Sequence, residues 1–251
     1  MLRPRIIPFL LLKNKGLIKT VKFKSEKYVG DPINAVRIFN EKKADEIIIV
    51  DKDPSLNNTE PNYKLISHLA EECQMPMTYG GGIKSVEQVE KIFALGVEKI
   101  SLSSGYFSNK DLVDELVSLV GSQSVAITLD VKKNFFGTYD IFTHGGKKRI
   151  KEGLKETIIE IQERGVGEII INNISRDGML NGYDLSLFDF IKPFINIPFT
   201  FLGGASCYDD FHSILNKQPI IGLSAGSFFV FKGKHKAVLI SYPKDQIINH
   251  E

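Results

Sequence analysis

The sequence predicts a (β/α)8 TIM barrel with a twofold half-barrel repeat, on three observations. Its 251 residues match the ~250 that such a barrel uses as one domain, so one domain is expected over residues 1–251. Short apolar runs alternate with stretches of helical periodicity, the pattern of βα units around a parallel sheet. The second half of the chain also echoes the first. Tyr79-Gly80-Gly81-Gly82-Ile83, a helix, then Ile100 to Phe107 return as Leu202-Gly203-Gly204-Ala205-Ser206, a helix, then Ile221 to Phe229. The Lys13-Asn14 turn likewise returns as Lys133-Asn134.

Eight strands are expected, at 6–12, 47–50, 77–79, 100–102, 125–129, 169–171, 199–202 and 221–224. Their runs are continuously apolar rather than alternating, as strands buried on both faces require. Helices are expected at 32–43, 63–72, 86–95, 112–120, 154–164, 185–191 and 208–215. Ser85 and Asp184 stand where N-caps belong for two of them. The stretch 237–242 reads as a short helix or an extended segment, stopped by Pro243.

Composition narrows the class. Hydrophobic content of 43% and charged content of 25% are those of a soluble globular protein. Cys73 and Cys207 have no metal or redox spacing and read as reduced thiols of a cytoplasmic protein. A net charge of +2 argues against a nucleic-acid partner. Arg3 and Arg5 before the apolar run 6–12 imitate a signal peptide, but lysines follow where a cleavage site belongs. No run approaches the ~18 apolar residues that span a membrane. No metal-ligand cluster and no nucleophile beside a base occurs, so no cofactor is expected.

The strands of such a barrel end at its catalytic face. Gly82 and Gly204 follow strands three and seven; Ser103, Ser104, Ala225 and Gly226 follow strands four and eight. Glycine permits close backbone approach, and free N–H groups at a helix start favour an anion. The device occurs in both halves, which suggests a substrate with phosphate at two ends; tight βα turns are the alternative. At the opposite end, Arg5, Glu46, Lys99 and Glu168 each precede an apolar strand run. Inward charges must be paired, so a neutral ring can close the floor, and spacing alone leaves its purpose open. The first loop carries Lys13, Lys15, Lys19, Lys22, Lys24 and Lys27 against Glu26: a basic lid that attracts anions, or a solvated hairpin. His144 falls in a second hairpin after strand five and reads as a loop residue.

The opening Met1-Leu2…Arg5-Ile6-Ile7-Pro8, Gly80-Gly81-Gly82-Ile83, Ser175-Arg176-Asp177-Gly178 with Gly182-Tyr183-Asp184, and Gly203-Gly204-Ala205 together resemble HisF, the cyclase subunit of imidazole glycerol phosphate synthase. The resemblance covers nearly the whole chain in order. It implies phosphate contacts by Gly82, Ser103 and Ser104 at one end and by Asp177, Gly178, Gly204, Ala225 and Gly226 at the other. It also implies a substrate-covering role for Lys19. Arg5, Glu46, Lys99 and Glu168 match the family's ammonia gate, and Glu98 the surface that meets a HisH-like glutaminase. The family's general acid and base are aspartates ending strands one and five. Asp130 fills the second position, but Leu11 stands at the first and cannot move a proton, and Phe9 replaces a small residue.

Phe9-Leu10-Leu11-Leu12-Lys13-Asn14 and Lys19-Thr20-Val21-Lys22-Phe23 are similar to HisF-like proteins of acetamidino-sugar biosynthesis. That implies an ammonia-channelling subunit beside a HisH-like glutaminase and an ATP-dependent amidotransferase that amidinates a nucleotide-linked sugar for surface polysaccharide. Two other readings stand: the lyase-type cyclase of histidine biosynthesis with a relocated acid, and a non-catalytic scaffold that holds a phosphate ligand.

Overall fold

A computed structural model describes residues 3–248; Met1 and Leu2 of the opening motif lie outside them. The eight barrel strands are β1 Arg5–Lys13, β2 Ile47–Asp51, β3 Met77–Gly80, β4 Lys99–Leu102, β5 Val125–Lys133, β6 Glu168–Asn173, β7 Phe199–Leu202 and β8 Gly222–Ala225. Each pairs in parallel with the next, and β8 returns to β1 through Arg5↔Gly222 to Pro8↔Ala225. The sheet is therefore a closed (β/α)8 barrel.

Strand boundaries differ from the apolar runs at their lower ends. β4 and β6 begin on Lys99 and Glu168, one residue before the runs start. A charged first residue still makes ladder hydrogen bonds, so hydropathy alone misplaces the boundary. β5 is also longer than expected, because its last four residues pair antiparallel with Tyr139–Thr143.

The outer layer comprises α1 Pro32–Glu41, α2 Tyr63–Glu72, α3 Val86–Ala94, α4 Asp111–Val120, α5 Leu154–Glu163, α6 Leu185–Ile191, α7 Tyr208–Leu215 and α8 Lys244–Ile248. The first seven lie where periodicity puts them, within two residues at the ends. Ser85 and Asp184 cap α3 and α6, accepting from the backbone N–H of Gln88 and Leu187. The inward faces, among them Phe39, Ile92, Leu116, Ile161, Phe188 and Phe211, are fully buried. Burying each such side chain contributes roughly 1.5–3 kcal/mol.

Three short helices interrupt the loops of the upper face: Lys52–Asn57, Ser104–Ser108 and Ser227–Val230. The open reading of the tail resolves to extended backbone at Ala237–Val238, paired with Phe231–Lys232. Pro243 then precedes α8 rather than stopping a helix, a position that suits a residue without an N–H. Tyr242 ties the tail to the barrel: its hydroxyl donates to Ile6 O at 2.8 Å, and its ring packs 5.5 Å from Phe229. Among the described residues no helix is long and apolar enough to cross a membrane.

Candidate active site

The inward side chains form layers along the barrel axis. At the floor, Arg5 donates to Glu46 and to Glu168 at 2.9 Å each, and Lys99 donates to Glu168 at 2.5 Å. Thr200 Oγ1 is a third partner of Glu168, at 2.5 Å. The four charged residues thus form a chain, Glu46–Arg5–Glu168–Lys99. Burial opposes ionisation of Glu168, yet Lys99 and Arg5 together hold its carboxyl down at about 2. Arg5 is held above its ordinary value by the same two acids, against the effect of burial. Glu98 lies exposed beside Lys99, and its carboxylate also accepts from Met77 N at 2.9 Å.

Above the floor, Ile7, Ile48, Ala126 and Ile170 make an apolar collar, with Phe9 and Val50 packed on it. Higher still the wall divides. Strands β4 to β6 contribute Ser101 and Thr128, whose hydroxyls are 2.6 Å apart, then Asp130 and Asn172. Strands β1 and β2 contribute Phe9, Leu11 and Val50. All of these line one cavity of about 150 Å³ at the mouth. Asn172 Nδ2 donates to Asp130 Oδ1 at 2.9 Å. Burial pushes the Asp130 carboxyl up to about 7, the Asn172 bond opposes the rise, and the charge of Asp177 adds to it. A carboxyl poised near neutrality can accept or give a proton at the pH of a cell. Leu11 offers no partner in that exchange.

The cavity also gathers Gly82, Ser103, Ser104 and Asp177. Gly82 is in left-handed backbone (φ +71°), and a Cβ there would lie 2.3 Å from Pro54. The helix Lys52–Asn57 therefore packs directly on the glycine turn, and Ser55 Oγ accepts the Gly82 N–H at 3.0 Å. Ser103 and Ser104 open the short helix Ser104–Ser108. Asp51, which hydropathy did not single out, N-caps Lys52–Asn57 through Asp53 N at 3.0 Å, and burial raises its carboxyl to about 6. The signal was present in Asp51 with Pro54 inside the first turn. Asn172 was likewise missed; the Asn172-Asn173 pair ending an apolar strand was its mark.

On the other side, Gly178 and Gly226 sit against the first hairpin, at Thr20 and Lys19, Gly204 packs on Gly182, and Ala225 pairs with Pro8 of β1. That hairpin, Gly16–Val21 against Lys24–Gly30, is folded onto the loop after β6 rather than standing free. Asp177 Oδ2 accepts from Thr20 Oγ1 at 2.6 Å and from Phe23 N at 3.2 Å, and Lys22 N donates to Asp177 O at 2.9 Å. Lys19 is 5% exposed, donates to Phe9 O at 2.5 Å, and lies where a Cβ on Gly226 would meet its Nζ at 2.6 Å. Burial lowers its ammonium to about 8, with Asp177 opposing. The lysine is thus held inside, not carried on an open lid. Gly204 accepts from Gly182 N at 2.9 Å, which brings the loops after β6 and β7 together. His144, in left-handed backbone (φ 54°), lines the mouth with Asp130, and its Nδ1 is 3.0 Å from Thr143 Oγ1.

Comparison with known proteins follows the same outline. Residues 5–236 match the family described as histidine biosynthesis protein. The chain is 52% identical over 244 residues to a Vibrio vulnificus protein provisionally named imidazole glycerol phosphate synthase subunit hisF3, covering 97% of this chain and 94% of that one. It is 48% identical to the similarly named hisF2 of Pseudomonas aeruginosa, over 97% of both. To the imidazole glycerol phosphate synthase subunit HisF of Natranaerobius thermophilus it is 33% identical, over 92% of both. With its closed barrel, its paired floor charges and its glycine turns at the mouth, this chain belongs to the histidine biosynthesis protein family as a member of the HisF group.

Proposed function

We propose that the chain is the barrel subunit of a glutamine-dependent amidotransferase, taking ammonia from a HisH-like glutaminase at its floor and passing it along its axis. One observation carries this reading. The floor charges Arg5, Glu46, Lys99 and Glu168 stay paired around the axis, while Leu11 occupies the mouth opposite Asp130. The apolar collar of Ile7, Ile48, Ala126 and Ile170 favours a neutral molecule, since an ion loses its hydration there without repayment. Ammonia fits that passage and ammonium does not. With Leu11 in place of an acid, the nitrogen serves a reaction finished elsewhere: amidination of a nucleotide-linked sugar by an ATP-dependent amidotransferase. The glycine and serine turns, with Lys19, hold a phosphate-containing small molecule at the mouth.

Replacing Lys99 with Met tests the passage. Glutamine-driven turnover of the assembled system is expected to fall at least tenfold while turnover on added ammonium salt stays within about twofold, tenfold corresponding to about 1.4 kcal/mol. Equal loss of both would remove the conduit. A second reading, the cyclase of histidine biosynthesis, is favoured by the name of the 33% identical relative and by the retained Asp130. It is tested with the histidine-pathway ribonucleotide and free ammonium on the chain alone: robust cyclisation establishes it, and a folded but inert protein leaves Leu11 as the physical reason for its absence.

A further inference from the structure

Asn172 is 4% exposed and lines the mouth cavity. Its Nδ2 is committed to Asp130, yet its Oδ1 has no hydrogen-bond partner. A buried carbonyl oxygen left unpaired costs stability, so its position at the cavity wall needs a ligand that donates. Beside it, an ionised Asp130 only accepts. One strand further, the Ser101 and Thr128 hydroxyls, already sharing one proton between them at 2.6 Å, offer spare lone pairs. Phe9, Leu11 and Val50 close the opposite side and offer no side-chain polar atom. The upper lumen is thus acceptor-rich on one wall and apolar on the other, directly above the collar.

We propose that Asn172 Oδ1 and Asp130 form a docking site for ammonia, or its ammonium ion, where the lumen meets the mouth. Ammonia has three N–H donors and one lone pair. An accepting wall takes the N–H groups and leaves the lone pair directed away from it, toward the mouth through which the nitrogen leaves. The inference rests on the reading of the barrel as an ammonia conduit and adds to it the place where the nitrogen is held. Other charged or titratable groups bear on Asp130: Asp177 from the loop after β6, with Asp51, Lys52 and His144 lining the same cavity.

The test follows the Asp130 carboxyl by 13C NMR across pH in the intact chain. It compares ammonium chloride with tetramethylammonium chloride at equal ionic strength, since the second cation has no N–H. Ammonium at about ten times its dissociation constant is expected to lower the Asp130 midpoint by about one pH unit; tetramethylammonium is expected to leave it in place. Asn172→Leu is expected to abolish the difference. Equal behaviour of the two salts overturns the site, and an undiminished ammonium effect in Asn172→Leu overturns the part given to the amide. Should that variant not fold, crystals of the unaltered chain soaked in thallium(I), a cation that substitutes for ammonium, are expected to show an anomalous peak between Asn172 and Asp130; no peak there is decisive against the proposal. These readings involve neither glutamine nor Lys99, so the docking site and the conduit can fail separately.

Discussion

Asp130 is the residue on which burial and chemistry pull in opposite directions. Its carboxyl is raised from 3.8 to about 7, chiefly by burial. The folded state therefore binds a proton that the unfolded state releases between those two values. Stability contributed at this position is complete below pH 3.8 and declines as pH rises to about 7. The full shift corresponds to roughly 4 kcal/mol, and partial exposure of the side chain to the cavity reduces this to about 2 kcal/mol. Asp130→Asn cannot ionise, and its amide still bonds Asn172. The variant is expected to be more stable than the parent by about that amount at pH 8, with the gain shrinking toward pH 4. Urea unfolding at both pH values checks this, and a pH-independent difference would rule out burial as the source. Asp130, which follows an apolar run, was singled out by the resemblance to the HisF family. Asn172 ends a similar run, but an amide carries no charge to draw attention, and its free oxygen appears only when the neighbouring strand is in place.

At the scale of elements, the first hairpin shows what sequence patterning can and cannot convey. Its lysines read as a basic lid or a solvated hairpin, and Lys24 and Lys27 are exposed. Its docking depends on long-range fits that no local pattern contains. A Cβ on Gly178 would lie 1.9 Å from Thr20 O, at φ +66°, and the Asp177 carboxylate joins two hairpin donors. For Lys52–Asn57, Asp51 and Pro54 mark the start of a helix in the sequence, but its seat on the Gly81-Gly82 turn appears only in the fold. By contrast the barrel strands and the first seven outer helices were legible, because continuous apolar runs and 3.6-residue periodicity report burial directly. Gly178→Ala is expected to release the hairpin while leaving the barrel folded. Trypsin should then cut after Lys22, Lys24 or Lys27 at least tenfold faster, with the midpoint of global unfolding little changed. Unaltered cleavage would mean that the hairpin is held by contacts other than this loop.

For the molecule as a whole, Glu168 serves as a tie across the barrel floor. From β6 it reaches Arg5 on β1, Lys99 on β4 and Thr200 on β7, so four strands around the closed sheet meet at one carboxylate. The half-barrel repeat made closure expected from the sequence, but spacing could not say which floor charges touch. The paired acids divide unequally: Glu168 has a side chain 5% exposed and Glu46 one 16% exposed. Removing one partner of a buried pair leaves the others desolvated and unpaired, at about 3–5 kcal/mol. Glu168→Gln is therefore expected to cost about 3 kcal/mol at pH 7, well above the cost of Lys99→Met, which leaves Arg5 on Glu168. The carboxyl is depressed from 4.5 to about 2, so its contribution is present above pH 4.5 and is lost as pH falls toward 2. Parent and Glu168→Gln should accordingly converge in stability between those values. Urea titrations at pH 7 and pH 3 separate a tie from a mere gate. A Glu168→Gln penalty below 1 kcal/mol at pH 7 would show that the floor charges do not hold the barrel together and owe their arrangement to what passes between them.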